Sequence, residues 1–254
     1  MTIPASIFGG KPFVPVYVFG KLIDTDGTEY PDSDGEPMAD NTLQWDWIAQ
    51  IKDNLETLFA DRDDVFVAGD LMWYPVHGDS SICRAPDAMV VFGRPKGYRG
   101  SYIQWIEGKI APQVVFEILS PSNSDDEMAK KHSFYERHGV EEYYLYDPYK
   151  PFLTVYQRNP ATDTLNQVIP ASGYTSPRLG VRFTIPSDGS DMQIYRPDGE
   201  PFRNFTETYQ LREKACAERD AATTRANEES ARANEASARA ERLAARLHEL
   251  GIEE

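Results

Sequence analysis

Glu117 is a lone acid in a run that otherwise reads Val114, Val115, Phe116, Ile118 and Leu119. Such a run is the pattern of a β-strand covered on both faces. An ionised carboxylate placed there costs several kcal/mol unless it is paired or sits against a cation. Two readings follow: a glutamate at a sheet edge or paired with an arginine, or a metal ligand or general base. Asp87 is its natural partner. It follows Pro86 at the mouth of a second apolar run, Ala88-Met-Val-Val-Phe, and stands 30 residues before Glu117 with a glycine-rich loop between them. Two carboxylates at corresponding heights on adjacent strands make an all-oxygen site of the kind Mg²⁺ or Mn²⁺ takes. A Pro-Asp pair alone also marks ordinary turns, so its weight comes from the out-of-place glutamate downstream.

Lys131 completes the set. In the segment after the Glu117 run, Met128 and Tyr135 mark an apolar helix face, and Lys131 lies three residues after the first and four before the second. An inward lysine either snorkels or reaches for a carboxylate. Lys130 has Phe134 at its own i+4 position, so the choice between the two neighbours rests on face geometry alone. His132 and His138 are expected to face solvent.

These residues need elements to hold them. Asp40 or Asn41 can cap a helix running to about Ala60, with Leu43, Trp47, Ile51, Leu55, Leu58 and Phe59 at helical spacing. A turn-rich approach begins at Tyr30. Strands are expected at Val65–Trp73, Ala88–Phe92 and Val114–Leu119. A helix is signposted from about Asp125 to His138 by Ser124, three residues before Glu127, and by Gly139 after its end. A strand at Tyr143–Tyr146 follows, then shorter strands near 152–157, 166–169 and 182–185. The order is helix, three strands, helix, strand and a β-rich extension, an α/β or α+β fold with a mixed sheet.

Composition changes at residue 205. From there to Ile252 there is no proline, Gly251 is the only glycine, and alanine, arginine and glutamate dominate. The text repeats every seven residues from Arg225, Arg232, Arg239 and Arg246. Ala226, Ala233, Ala240 and Leu247 form one seam position, and Glu229, Ala236, Leu243 and Leu250 the other, which is coiled-coil spacing. Alanine seams bury little area and Glu229 interrupts this one. The expected organisation is therefore residues 1–204 as one domain and 205–254 as a long helical, coiled-coil-like tail, either a solvated single helix or a weak coiled coil tightening toward Leu250. Self-association, most simply as a dimer, is expected at that end.

The whole chain of 254 residues carries 26 basic and 41 acidic side chains, a net charge of −15. The tail from Arg203 onward is near neutral, with 9 basic and 11 acidic residues, which leaves 17 and 30 in the body. A chain this acidic repels polyanions at long range, so a nucleic-acid role must rest on a local site and a bound cation. The one locally basic stretch runs from Arg84 to Lys109, with Arg94, Lys96, Arg99 and Lys109 as candidate phosphate contacts. Cys83 and Cys216 lack metal-ligand spacing and cannot form a disulfide framework. No stretch approaches the roughly 18 apolar residues of a bilayer span, and the first residues lack the pattern of a signal peptide. A soluble, cytoplasmic protein without membrane association is expected.

Taken in order, Pro86-Asp87, Glu117 in VVFEILSPS, Lys131-His-Ser-Phe-Tyr135 and Gly139-Val-Glu-Glu-Tyr-Tyr-Leu-Tyr-Asp147-Pro148 resemble the Uma family of restriction endonucleases, within the PD-(D/E)XK nuclease superfamily. The resemblance covers roughly Tyr30 to Arg158, and its specificity lies in the ordered combination. It implies a restriction-endonuclease-like αβββαβ core. It also implies that Asp87 and Glu117 are metal-binding acids, with the carbonyl of Ile118 as a third ligand. The superfamily pattern places a lysine two residues after the acid, where this chain has Leu119; the resembling family takes it from the following helix, which points to Lys131. Glu36 is a candidate for the acid that many superfamily members place near the first helix. The activity implied is hydrolysis of DNA phosphodiester bonds with Mg²⁺ or Mn²⁺, Lys131 positioning the water or stabilising the pentacoordinate state. From a different class, a nuclease-fold binding or assembly module with little cleavage, associating through its tail, fits the acidic body. A small-molecule hydrolase would want a GxSxG elbow, a cysteine–histidine pair or an HExxH motif, and none is present.

Overall fold

In the computed structural model, residues 16–18 and 20–249 are described. The chain divides into two compact units, Met1–Phe202 and Arg203–Glu254.

The first unit opens with a small antiparallel sheet of β1 (Val16–Tyr17), β2 (Lys21–Ile23) and β3 (Glu29–Pro31). Tyr30, read as part of a turn-rich approach, lies in β3 and is fully buried, its hydroxyl accepting the Gly78 N–H at 2.7 Å. Helix α1 (Thr42–Leu58) is capped by Asn41, whose side chain accepts the Gln44 N–H. Strand β4 (Val65–Ala68) ends sooner than the hydrophobic run suggests. Gly69 and Asp70 turn the chain, and β5 (Trp73–Tyr74) leaves to pair in parallel with β7 (Tyr102–Ile103). Asp70 makes the turn with a left-handed φ of 45°, a conformation Asp tolerates because its short side chain bonds locally.

Between them lies β6 (Ala88–Phe92), followed after β7 by β8 (Val114–Ile118). Helix α2 (Asp125–Arg137) starts on Ser124, whose hydroxyl accepts the Glu127 N–H at 3.2 Å. Gly139 past its end has φ 94°, the left-handed stop. Strands β9 (Glu142–Asp147), β10 (Phe152–Asn159) and β11 (Thr164–Val168) follow, and β12 (Arg182–Thr184) pairs with β13 (Gln193–Tyr195).

The main sheet has the order β11-β10-β9-β8-β6-β4. Neighbours are antiparallel except β8 and β9, which run parallel because α2 carries the chain across. The core order α1, β4, β6, β8, α2, β9 is αβββαβ, as expected. One face packs on α1 through Trp47, Ile48, Ile51 and Leu55; the other is covered by α2 through Tyr135. β8 lies in the interior of the sheet and all five of its residues are buried, which accounts for its unalternating apolar text.

The second unit contains α3 (Phe205–Glu249), a single helix of 45 residues, about 68 Å at 1.5 Å per residue. A capping box starts it: the Glu207 N–H donates to the Asn204 side chain at 2.9 Å and the Asn204 N–H to the Glu207 carboxylate at 3.0 Å. None of its described side chains is buried. Leu243 and Leu247 of the heptad seam are 58% and 45% exposed, and Leu250 lies outside the described residues. Among the described residues no helix is long and apolar enough to cross a membrane.

Candidate active site

Strand parity brings the two acids together. Val114, Phe116 and Ile118 of β8 face the α1 side, while Val115 faces the α2 side. Glu117, two residues from Val115, therefore points at α2. On β6, Met89 and Val91 also face α2, and the same period-2 count puts Asp87 on that side. The pairing of Ala88 with Phe116 sets Asp87 opposite Glu117. Both are buried, Asp87 at 8% and Glu117 at 2% exposure.

Each acid is held. The Asp87 carboxylate accepts the Ile118 N–H through Oδ2 at 2.6 Å. Lys131 Nζ donates to Glu117 Oε2 at 2.8 Å, and the Tyr135 hydroxyl donates to Oε1. Lys131 and Tyr135 are one helical turn apart on α2, so one helix face supplies both donors. Lys130 is exposed, and Lys131 is the neighbour that reaches Glu117. Burial works against the charged form of Lys131, but the Glu117 charge and hydrogen bond outweigh it and raise its pKa. The pairing with Glu117 thus favours the ammonium form.

Two buried acids face this one cation. Burial pushes the Asp87 carboxyl well above the ordinary carboxylate range, and the charge of Glu117 adds to the shift. A site with one more acid than base, built of hard oxygen donors, suits a divalent cation such as Mg²⁺. Mg²⁺ keeps several waters and needs only one or two protein carboxylates. Among the described residues no group of three or more His, Cys, Asp or Glu side chains could together hold a metal ion.

Four residues near the site escaped the sequence reading. Gln44, from the first turn of α1, bridges the site to the helix: its Oε1 accepts the Asp40 N–H at 2.8 Å and its Nε2 donates to the Ile118 carbonyl at 2.9 Å. That carbonyl thus has one partner and a second lone pair. Asp40 accepts the hydroxyls of Ser120, at 2.5 Å, and Ser122, and these bonds, with the nearby Lys131 charge, lower its pKa. Asp70, whose N–H donates to the Pro86 carbonyl at 3.0 Å, is half-buried. Burial first, then the charges of Asp34 and Glu117, push its carboxyl up to about 6 against the pull of Lys131. The fourth is Tyr135, read only as an apolar marker. Polar residues on an apolar helix face or just beyond a strand were the available signal, and they were no more distinctive than caps and turns.

Other candidates are placed apart from Asp87, Glu117 and Lys131. Glu36 is exposed, and its backbone N–H donates to Asp34; no hydrogen bond or ion pair joins it to Asp87, Glu117 or Lys131 among the described residues. The basic loop is internally neutralised: Arg94 and Arg99 both donate to Glu107 at 2.7 Å, and Lys96 donates to the Phe59 and Ala60 carbonyls. Those contacts tie down Arg94, Lys96 and Arg99, while Lys109, the fourth candidate, is exposed. His132 and His138 are half-buried, His132 against Tyr156 with ring centroids 4.6 Å apart, and His138 against Phe134 at the same separation. Amphipathic α2 is packed along more of its circumference than its charge content suggests.

The electrostatics carry a pH prediction. An acid whose folded pKa is raised contributes stability below its unfolded pKa and loses it as pH rises through the folded value. For Asp70 that window runs from about 4 to about 6. Asp70→Asn, which keeps the left-handed turn, is expected to flatten this part of the profile. It should stabilise the protein at pH 7 by about 1 kcal/mol, the full shift being discounted for half exposure. Thermal melts from pH 4 to 8 in a chelator check this; parallel profiles for variant and wild type would refute it.

Residues 19–196 match the family model Uma2, described as "Putative restriction endonuclease". Among solved structures, that of a "putative nuclease" from Anabaena variabilis ATCC 29413 matches at 16% identity and a TM-score of 0.41, covering 61% of this chain and 80% of that one. No curated protein matches.

Proposed function

The chain belongs to the Uma2 family of restriction-endonuclease-like proteins, and from that premise we propose that it is a metal-dependent endonuclease hydrolysing DNA phosphodiester bonds. The observation that carries the reading is the meeting of two buried carboxylates on one sheet face with a lysine bonded to one of them. Asp87 and Glu117 would hold Mg²⁺ or Mn²⁺, with the second lone pair of the Ile118 carbonyl as a third donor. When bound, such an ion neutralises phosphate charge and lowers the pKa of a coordinated water.

The protein's own groups do the rest. The Ile118 N–H fixes the Asp87 carboxylate, and the Tyr135 hydroxyl fixes that of Glu117. Lys131 sets its charge beside Glu117 and stabilises negative charge gathering on the phosphoryl oxygens in the transition state. Gln44 ties the end of β8 to α1, so the acids sit on a rigid frame. The site supplies local attraction that the net charge of −15 does not.

Incubation of the full chain with supercoiled, linear and single-stranded DNA, with Mg²⁺, with Mn²⁺ or with chelator, tests the proposal. Metal-dependent nicking or cutting is expected. Cleavage that persists in Asp87→Ala and Glu117→Ala variants would reject the site. Tight DNA binding with no cleavage under any of these metals would favour the binding-module reading instead.

The tail is proposed to join copies of the chain, supported by Leu243 and Leu247 on one exposed seam. Truncation after Asn204 is expected to leave the melting temperature of the remaining unit within a degree or two while lowering the mass seen by light scattering. An unchanged mass would sink the tail's role. Free Cys83 and Cys216 fit a reducing, cytoplasmic setting.

A further inference from the structure

A groove of 670 Å³ runs along the side of α2 that Lys131 does not occupy, between that helix and the segment ending at Arg84. Arg84, Lys130, Arg137 and His138 line it, against a single acid, Asp126. This grouping stands out against the many cations of the body that are matched by acids: Lys21 by Glu29, Lys52 by Glu56, Arg94 and Arg99 by Glu107, Arg178 by Glu141. In the groove they are not. Among the described residues Lys130 and Arg137 have neither an ion pair nor a side-chain hydrogen bond. The Arg84 guanidinium lies over the Phe134 ring at 5.5 Å and spends one donor on the Cys83 carbonyl. That contact holds the group flat against α2 and leaves further donors of its fork free.

The spacing suits a polyanion. Lys130 and Arg137 are seven residues apart, which places them on one stripe of α2 about 10 Å apart along its axis. Successive phosphates of one duplex strand advance about 3.4 Å along the axis, so the stripe spans about three of them. In sequence, Lys130 adjoins Lys131, and Arg84 stands three residues before Asp87.

We propose that this groove is the track for the phosphate backbone of a DNA duplex, with Arg84, Lys130 and Arg137 as its phosphate contacts. Resting on the nuclease reading above, it assigns the surface that presents the duplex to Asp87 and Glu117. It also explains how a chain of this acidity engages DNA: the binding cations form a cluster that no ion pair compensates.

Binding and cleavage separate the two claims. A fluorescein-labelled duplex of about 20 base pairs is titrated with the full chain in chelator, at salt from about 50 to 200 mM. The K130Q/R137Q variant, exposed at both positions, is expected to loosen binding about tenfold or more at low salt and to cut the slope of log affinity against log salt by about 1.8. R225Q/R232Q removes the same charge from α3 and should keep the wild-type slope. A wild-type slope and affinity in K130Q/R137Q, with cleavage intact, would overturn the groove and leave the nuclease reading standing. Groove-dependent binding with no cleavage under any metal would do the reverse. A wild-type chain that does not bind the duplex at all would overturn the groove outright.

Discussion

Asp87→Asn should abolish metal-dependent cleavage, by roughly 10³-fold or more, and at the same time raise the melting temperature of the metal-free protein. The first effect follows from removing one of two carboxylates available to a cation, with the loss of charge neutralisation at the phosphate. The second follows from burial. Asp87 pays desolvation and faces the charge of Glu117, with its carboxyl pushed well above the usual range. A raised acid stabilises the fold at pH below its unfolded value of about 4 and loses that contribution as pH climbs through the raised folded value. Asparagine keeps the shape and can still accept the Ile118 N–H, but it does not titrate. The variant's stability should therefore fall less than that of the wild type between pH 4 and 8. Stability gained where function is lost is a common mark of an active site. Thermal melts in chelator, beside a cleavage time course, check both halves. A variant that cuts DNA at the wild-type rate would remove Asp87 from the site, and one that melts lower at pH 8 would refute the electrostatic account.

Lys131→Met carries the second large effect. Lys131 is mostly buried, with 17% of its side chain exposed, and Glu117 beneath it is 2% exposed. Taking away one partner of a buried pair leaves the other charge uncompensated, which costs about 3–5 kcal/mol. Methionine retains much of the packing of the lysine stem, so the loss is mainly electrostatic. Glu117→Gln combined with Lys131→Met removes both charges and should recover most of that stability, because neutral replacements of buried pairs are tolerated. Urea denaturation at pH 7 measures the two variants against the wild type. Equal stabilities for the single and double variants would show that the ion pair does not carry the cost. Cleavage should stay low in the double variant even where stability returns, since the carboxylate is gone as well.

The sequence carried more of this site than its charge suggested. An acid in an unalternating apolar run announced an interior strand with a buried carboxylate, because period and composition are properties of neighbouring residues. Met128, Lys131 and Tyr135 announced the inward face of α2 for the same reason, as Ser124 and Gly139 did its ends. Of the inferences about partners distant in the chain, the pairing of Asp87 and Lys131 with Glu117 matches the structure, and others do not. Arg94 and Arg99 looked like phosphate ligands until the loop folded Glu107 between them. Gln44 and Ile118, 74 residues apart, gave no sign that they would bond. The Val65–Trp73 run read as one strand because its hydrophobicity is continuous, yet it serves two sheets, parted by a left-handed Asp70.

Local sequence thus determined most of the elements, the caps of α1 and α2, the helical tail and the three candidate side chains, since periodicity and capping act over a few residues. Only the tertiary structure decided which charges face one another. The β6–β8 register sets Asp87 opposite Glu117, α2 brings Lys131 down on them, and Arg84, Lys130 and Arg137 gather without acid partners on the other side of that helix. Those outcomes depend on strand pairing and helix packing between segments tens of residues apart, where the energy of a buried charge is fixed by whatever the fold places within a few ångströms of it.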